Sequence, residues 1–226
     1  MNEALIIASA FIDLGVVLVA FVLGREWLYA TIIVNLLLIG LLGAKLVGVF
    51  GQATNVGNVF YASVFFATYL ILEHDSIDDA IKAVWIGLGS IAFFFVLLNG
   101  ALLLTSIPET SDIARLMDQV LALTPRVAIA SMIGFTISQY VNIALYSFWQ
   151  ERVGDAHWWF RAVSVMMAAQ LIDSVIFFSI AFLGMVGTGL VIETMITGYI
   201  VKVAVGLVAT GFLFASHSLK AARRTA

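Results

Sequence analysis

Two charges buried in apolar sequence are the first residues of this chain that could do chemistry. Asp173 lies in QLIDSVIFFSIAF and Lys202 in YIVKV, on either side of a Gly-rich turn marked by Gly184, Gly187 and Gly189. Counted from Gly187, Asp173 is 14 residues back and Lys202 is 15 residues forward. Two antiparallel helices would put both roughly 21–22 Å from the turn, near the centre of a hydrocarbon layer about 30 Å thick. An ionisable group at that depth costs about 2.5–3.5 kcal/mol on insertion scales, so it needs a partner or a wet cavity. Gln170 precedes Asp173 by three residues and Tyr199 precedes Lys202 by three, giving each charge a polar neighbour on its own helix face. One reading is an ion pair that only fixes how two helices dock. The other is a polar pocket at the bilayer midplane, able to hold a small polar ligand.

Further polar residues fall at helical spacing. Gln139, Asn142 and Tyr146, with Ser138 beside them, line one face of a hydrophobic segment, as interhelical glue or as a ligand-facing wall. Tyr69 and Glu73 share a face at i, i+4 near the end of another segment. Asp13 sits mid-segment near the N-terminus and reads as an acid turned toward the bundle. Lys45 lies near a segment end, where its stem can snorkel.

The elements that must position these groups are membrane helices. The 226 residues are 62% hydrophobic and only 11% charged, with a mean hydropathy of +1.09, against about 25% charge in a soluble domain. Apolar runs predict about seven spans, near 4–23, 27–49, 57–73, 81–105, 127–149, 160–184 and 190–216. The expected fold is an all-α polytopic bundle forming a single domain over 1–226. Residues 109–124 should form an amphipathic surface helix, with Ile113, Leu116, Met117, Val120 and Leu121 opposite Asp112, Arg115, Asp118 and Gln119. The acidic start MNEALIIASAF reads as a retained helix rather than a cleaved signal.

Orientation follows from the basic residues. With the N-terminus outside, the inner side receives Arg25, Lys82, Arg152, Arg161, Lys220, Arg223 and Arg224, and the outer side only Lys45, Arg115 and Arg126. Gly40, Ala44 and Gly48 form a small-residue stripe on the second span, suited to close helix packing or to a homodimer. Cys is absent, which removes disulfides and thiol chemistry. His74, His157 and His217 stand at or near segment ends. No HExxH, GxSxG or P-loop occurs, so zinc protease, serine hydrolase and ATPase activities are not expected, nor is a cofactor. Basic residues do not cluster beyond the tail, which argues against nucleic acid.

Assembled, these stretches resemble the putative vitamin uptake-like transporter family, of queuosine precursor transporter type. The stretches are GAKLVGVFG (43–51), ASVFFATYLILE (62–73), PRVAIASMIGFTISQYVNIALY (125–146), QLIDSVIFFSIAF (170–182) and YIVKV (199–203). The resemblance implies a transporter core over 27–216 of about six spans, with 4–23 as an extra helix, and import of a 7-deazaguanine across the plasma membrane. It departs from the family pattern at Tyr69 and Asn142, where the family usually carries Asp. On this reading Asp173 accepts from donor groups of a planar heterocycle, Gln139 and Asn142 match its amide edge, and Gln170 is a further substrate-binding residue. Tyr69, Tyr146 or Phe177 would stack on the ring, with Lys202 neutralising Asp173 in the empty pocket. Glu73, Arg126 and Lys45 are the candidate gate or coupling residues, and Asp173 or Glu73 would carry a proton if transport is ion-coupled.

Three other readings compete, of which a membrane-embedded enzyme fits least because the sequence has no recognisable nucleophile–base pairing or metal motif. Another is a substrate-binding subunit docking on a separate ATPase-driven module, since this chain has no ATP motif. The third is a retinal-binding seven-helix photoreceptor using Lys202, which fits poorly because the third span lacks a mid-depth carboxylate as counter-ion.

Overall fold

A computed structural model describes residues 1–43, 45–121, 124–153 and 158–223. The chain runs α1 (Asn2–Leu23), α2 (Arg25–Leu42), β1 (Leu46–Val49), β2 (Gln52–Asn55), α3 (Gly57–His74) and α4 (Ile77–Leu102). It continues through a 3₁₀ turn (Pro108–Thr110) to α5 (Ser111–Leu121), α6 (Thr124–Val153), α7 (Trp158–Phe182) and α8 (Thr188–Arg223). Among the described residues, six helices are long and apolar enough to cross a membrane: α1, α2, α4, α6, α7 and α8. Large apolar side chains such as Ile12, Val19, Trp85, Phe93, Ile200 and Leu207 point outward, as hydrocarbon surroundings require. His157 and Arg224 fall outside the described residues.

The expected third span is α3, and its surroundings explain its composition. From Gly57 to Leu72 only Phe60 escapes full burial. A helix enclosed by other helices need not be uniformly apolar, so α3 tolerates Asn58, Ser63 and Thr68 in its length. It packs against α1, α2, α4, α7 and α8 and forms the centre of the bundle.

Short turns join the helices at the end opposite the N-terminus. Gly24, at φ 128°, lets α2 begin one residue after α1 ends. Ser76 caps α4 by accepting from the Asp79 N–H at 3.1 Å, with Asp78 and Asp79 in the first turn. Asp79 is also used in a tertiary contact there. Arg25 Nη1 meets Asp79 Oδ2 at 2.6 Å, and Tyr29 OH donates to the Asp79 carbonyl, stapling the α1–α2 turn to the α3–α4 turn.

The second span is the main correction. It does not continue to residue 49: α2 stops at Leu42, and the chain makes an antiparallel hairpin in which Leu46 pairs with Asn55 and Val49 with Gln52. The turn uses Phe50 (φ 50°) and Gly51 (φ 78°). The Gly-rich, β-branched sequence LVGVFGQATN suits a pleated ribbon better than a helix, and a hydropathy window does not separate the two. Gly48 therefore lies on a strand, and Ala44 is outside the described residues. Gly40 faces Phe95 of α4 so closely that a Cβ would come within 2.6 Å of the ring. That stripe offers no continuous helix face to a second copy.

The hairpin is tied down on both sides. Asn2 Nδ2 donates to the Gly48 carbonyl at 2.9 Å, Phe50 N–H to Glu3 Oε1 at 3.1 Å, and Ala53 N–H to Glu193 Oε1 of α8 at 3.0 Å. Asn55 closes its base, donating to the Gly43 carbonyl and accepting from the Gly57 N–H.

Candidate functional site

Asp173 and Lys202 meet at the same depth, as the hairpin geometry of their helices predicts. Lys202 Nζ donates to Asp173 Oδ2 at 2.6 Å and to Ser174 Oγ at 3.1 Å, and lies 4.6 Å from the centre of the Tyr61 ring. Both charged side chains are 1% exposed. Asp173 Oδ1 makes no bond of standard hydrogen-bond geometry, although the Tyr61 hydroxyl neighbours that carboxylate. It packs against the α6 backbone at Gly134, where a Cβ would stand 2.8 Å away. The cavity beside the pair is lined by Ile39, Asn55, Asn58, Tyr61, Phe177 and both ions. Its volume of about 10 Å³ for the centre of a water molecule holds roughly one water. A cavity of that size admits no ring-sized ligand.

The same helices carry a second buried ion pair toward the other end of the bundle. Arg161 Nη2 of α7 meets Glu73 Oε2 of α3 at 2.7 Å, with side chains 1% and 9% exposed. The same oxygen accepts from Tyr69 OH at 3.3 Å and from Tyr146 OH at 3.2 Å. Arg161 sits 4.8 Å from the Tyr146 ring centre, and His217 Nε2 lies 3.9 Å from Glu73 Oε1. Trp158 and His74 flank His217 at ring distances of 4.2 and 4.9 Å. A carboxylate serving a guanidinium and two phenols at once ties three helices together.

The register between the pairs is uniform. Tyr61 to Glu73 on α3, Gly134 to Tyr146 on α6, and Asp173 to Arg161 on α7 are each twelve residues, or about 18 Å of helix. Gln139 and Asn142 fall within this interval on α6, and Gln170 lies about one turn from Asp173 on α7. All three are at most 1% exposed. Asn142 Nδ2 donates to Gln139 Oε1 at 3.3 Å, while Gln139 Nε2, Asn142 Oδ1 and Gln170 Oε1 have no hydrogen-bond partner among the described residues. Each such orphan costs about 1–3 kcal/mol unless a ligand or water completes it.

The expected single pocket is thus divided. Asp173, Lys202 and Phe177 meet at the small cavity, Gln139, Asn142 and Gln170 occupy the interval, and Tyr69 and Tyr146 join Glu73 at the far end rather than flanking Asp173. Arg126 donates to the Ile180 carbonyl at 2.7 Å and the Leu183 carbonyl at 2.6 Å. It caps the end of α7, and its donors do not point into the cavity. Lys45 is exposed at the base of the hairpin. Tyr199 turns from Lys202 and donates to the Met167 carbonyl at 3.4 Å.

Sequence reasoning missed Tyr61, Asn55, Asn58 and Ser174 as neighbours of the ion pair, and took Arg161 only as an orientation signal. Arg161 carried a readable hint: it is the one charged residue from Trp158 to Met167 in a largely apolar helix. Tyr61 carried none, since only the docking of α3 on α8 brings it to Lys202.

Over residues 55–215 the chain matches the family described as putative vitamin uptake transporter. It is 31% identical over 193 residues to a protein of Bacillus subtilis (strain 168) named "Probable queuosine precursor transporter", covering 84% of this chain and 81% of that relative. No solved structure matches it.

Proposed function

The chain belongs to the putative vitamin uptake transporter family, and on that premise we propose that it imports a queuosine precursor, a 7-deazaguanine, across the plasma membrane. Membership makes it a multi-pass membrane transporter rather than an enzyme. The substrate class is our reading, supported by the name of the Bacillus relative and by the chemistry of the buried polar groups.

A 7-deazaguanine offers a ring N–H and an exocyclic amine as donors and a carbonyl as acceptor on one edge of a flat ring. Among the described residues, Asn142 Oδ1 and Gln170 Oε1 are acceptors in need of donors and Gln139 Nε2 is a donor in need of an acceptor, while Asp173 Oδ1 has the Tyr61 hydroxyl beside it but no bond of standard geometry. That complementarity is the observation that carries the reading. Tyr61 and Phe177 supply ring faces at the cavity.

The cavity must widen to admit a ring, so the helices have to part. The hairpin closes one end of the site and the Glu73–Arg161 cluster the other, an arrangement suited to alternating access. We place the N-terminus outside and the C-terminus in the cytoplasm from the basic-residue asymmetry, and treat α1 as an addition to a core spanning 27–216.

Thermal-shift titration of the purified protein with 7-deazaguanines, purines and pterins tests this. Saturable stabilisation by a 7-deazaguanine, lost in Asp173→Asn and weakened in Gln139→Leu, is the expected result. Stabilisation by a 7-deazaguanine that survives both substitutions would sink the site assignment, and preference for a different heterocycle would sink the substrate.

A further inference from the structure

Three acids turn toward the interior of the helix bundle, and two of them are neutralised. Asp173 has Lys202 and Glu73 has Arg161. The third, Asp13, stands at the middle of α1 and has no cationic partner among the described residues. Its carboxylate accepts from an amide: Asn35 Nδ2 of α2 lies 3.1 Å from Oδ1 and 3.2 Å from Oδ2. Ser63 of α3 faces the same carboxylate. Its hydroxyl is fully buried and makes no bond of standard hydrogen-bond geometry. α8 and β1 also pack on α1, yet contribute no ion pair or hydrogen bond to Asp13 among the described residues.

A carboxylate at mid-depth with one amide and one hydroxyl around it is poorly compensated as an anion. Two ions could relieve it. A sodium ion needs a shell of several oxygens, which membrane proteins usually build from unwound helix carbonyls. Here α1, α2 and α3 run unbroken past the site, so backbone carbonyls are committed to their own helices. A proton needs only the carboxylate itself.

The position of Asp13 relative to the substrate site gives its protonation a mechanical outlet. Ser63 and Tyr61 are two residues apart on α3, hence about 200° apart around the helix and about 3 Å apart along it. Ser63 faces Asp13, and Tyr61 faces the Asp173–Lys202 pair. The central helix therefore stands between an acid with no counter-charge and the candidate substrate site, at nearly one depth.

We propose that Asp13 is the proton-binding group that couples uptake to a proton gradient. The carboxylate takes one proton from the outer side, crosses the cycle as the neutral acid bonded to Asn35 and Ser63, and releases the proton to the cytoplasm as α3 shifts. This rests on the transport reading above for its substrate but not for the residue. It transfers the coupling role from Asp173 and Glu73, whose cations already hold them.

The test uses the full chain in proteoliposomes with radiolabelled 7-deazaguanine. An inward gradient of one pH unit should drive about tenfold accumulation at one proton per uncharged substrate. Asp13→Asn should retain substrate exchange without a gradient but accumulate no more than onefold. Wild-type-like accumulation by Asp13→Asn overturns the proposal, as does accumulation driven by sodium and not by protons. If the wild type neither binds nor exchanges the substrate, the transport reading fails, and infrared titration decides Asp13 separately. A protonated-carboxyl band that titrates in the wild type and is absent in Asp13→Asn supports the proposal, and an identical band in both overturns it. Should Asp13→Asn fail to fold, Ser63→Ala keeps the carboxylate. A moved pH midpoint of the band then supports the assignment, and an unmoved one overturns it.

Discussion

Gly134 of α6 lies so close to Asp173 of α7 that a Cβ on it would stand 2.8 Å from Asp173 Oδ1. The missing side chain is what lets the carboxylate rest against a neighbouring helix with its second oxygen committed to Lys202. Gly134→Ala should push the carboxylate aside, at a cost of about 1–3 kcal/mol for overpacking. The expected consequence is a loss in 7-deazaguanine affinity on the order of tenfold, or about 1.4 kcal/mol. Binding titrations on the purified variant check it, and unchanged affinity would show that Oδ1 is not a ligand contact.

Breaking the Glu73–Arg161 pair from one side should be worse than removing both charges. Arg161→Met leaves a buried carboxylate facing two phenols, and truncating one partner of such a pair typically costs about 3–5 kcal/mol. The double variant Glu73→Gln, Arg161→Met should recover at least half of the lost Tm in detergent. A double variant no more stable than Arg161→Met would mean that packing, not charge, dominates the cluster.

Asn55 serves both ends of the β-hairpin through two bonds. Asn55→Ala leaves the Gly43 carbonyl and the Gly57 N–H without this partner, at about 1–3 kcal/mol each. Among the described residues, Asn58→Ala gives up one bond, to Thr54 Oγ1 at 3.2 Å. Asn55→Ala should therefore lower Tm further than Asn58→Ala, and it should speed hydrogen exchange at residues 46–55.

α5 presents Ile113, Leu116 and Met117 outward, each more than half exposed, with Asp112, Arg115 and Asp118 on its other side. Joined to α4 and α6, it should lie on the membrane surface with that apolar row in the lipid. The chain has no Cys, so single spin labels are straightforward to place. A label at residue 116 should be accessible to oxygen and a label at 112 to a water-soluble relaxation agent. Equal accessibility at both positions would show the helix standing free in water.

The amino-acid sequence alone determined the class of the molecule and the depth of its charges. Apolar run length sets where a chain can cross hydrocarbon, and helical rise converts residue number into depth. Asp173 and Lys202 could therefore be paired before any fold was known, as could Tyr69 with Glu73 and Gln139 with Asn142 within their own helices. These are consequences of local geometry, and local geometry is carried by sequence spacing.

Tertiary structure decided what spacing cannot express, namely which helix faces which and with what rotation. Arg161 finds Glu73, and Tyr61 finds Lys202, only because α3 docks against both α7 and α8 at one register. Tyr69 and Tyr146 were placed in the wrong half of the site for the same reason. The hairpin after α2 was hidden because hydropathy sums side chains without regard to backbone conformation, and an apolar Gly-rich ribbon scores like a helix. Asp13 looked like an ordinary inward-facing acid until the packing of α1, α2 and α3 brought it neutral partners only. Counter-charges are supplied by neighbouring helices, and a sequence read along one helix does not contain its neighbours.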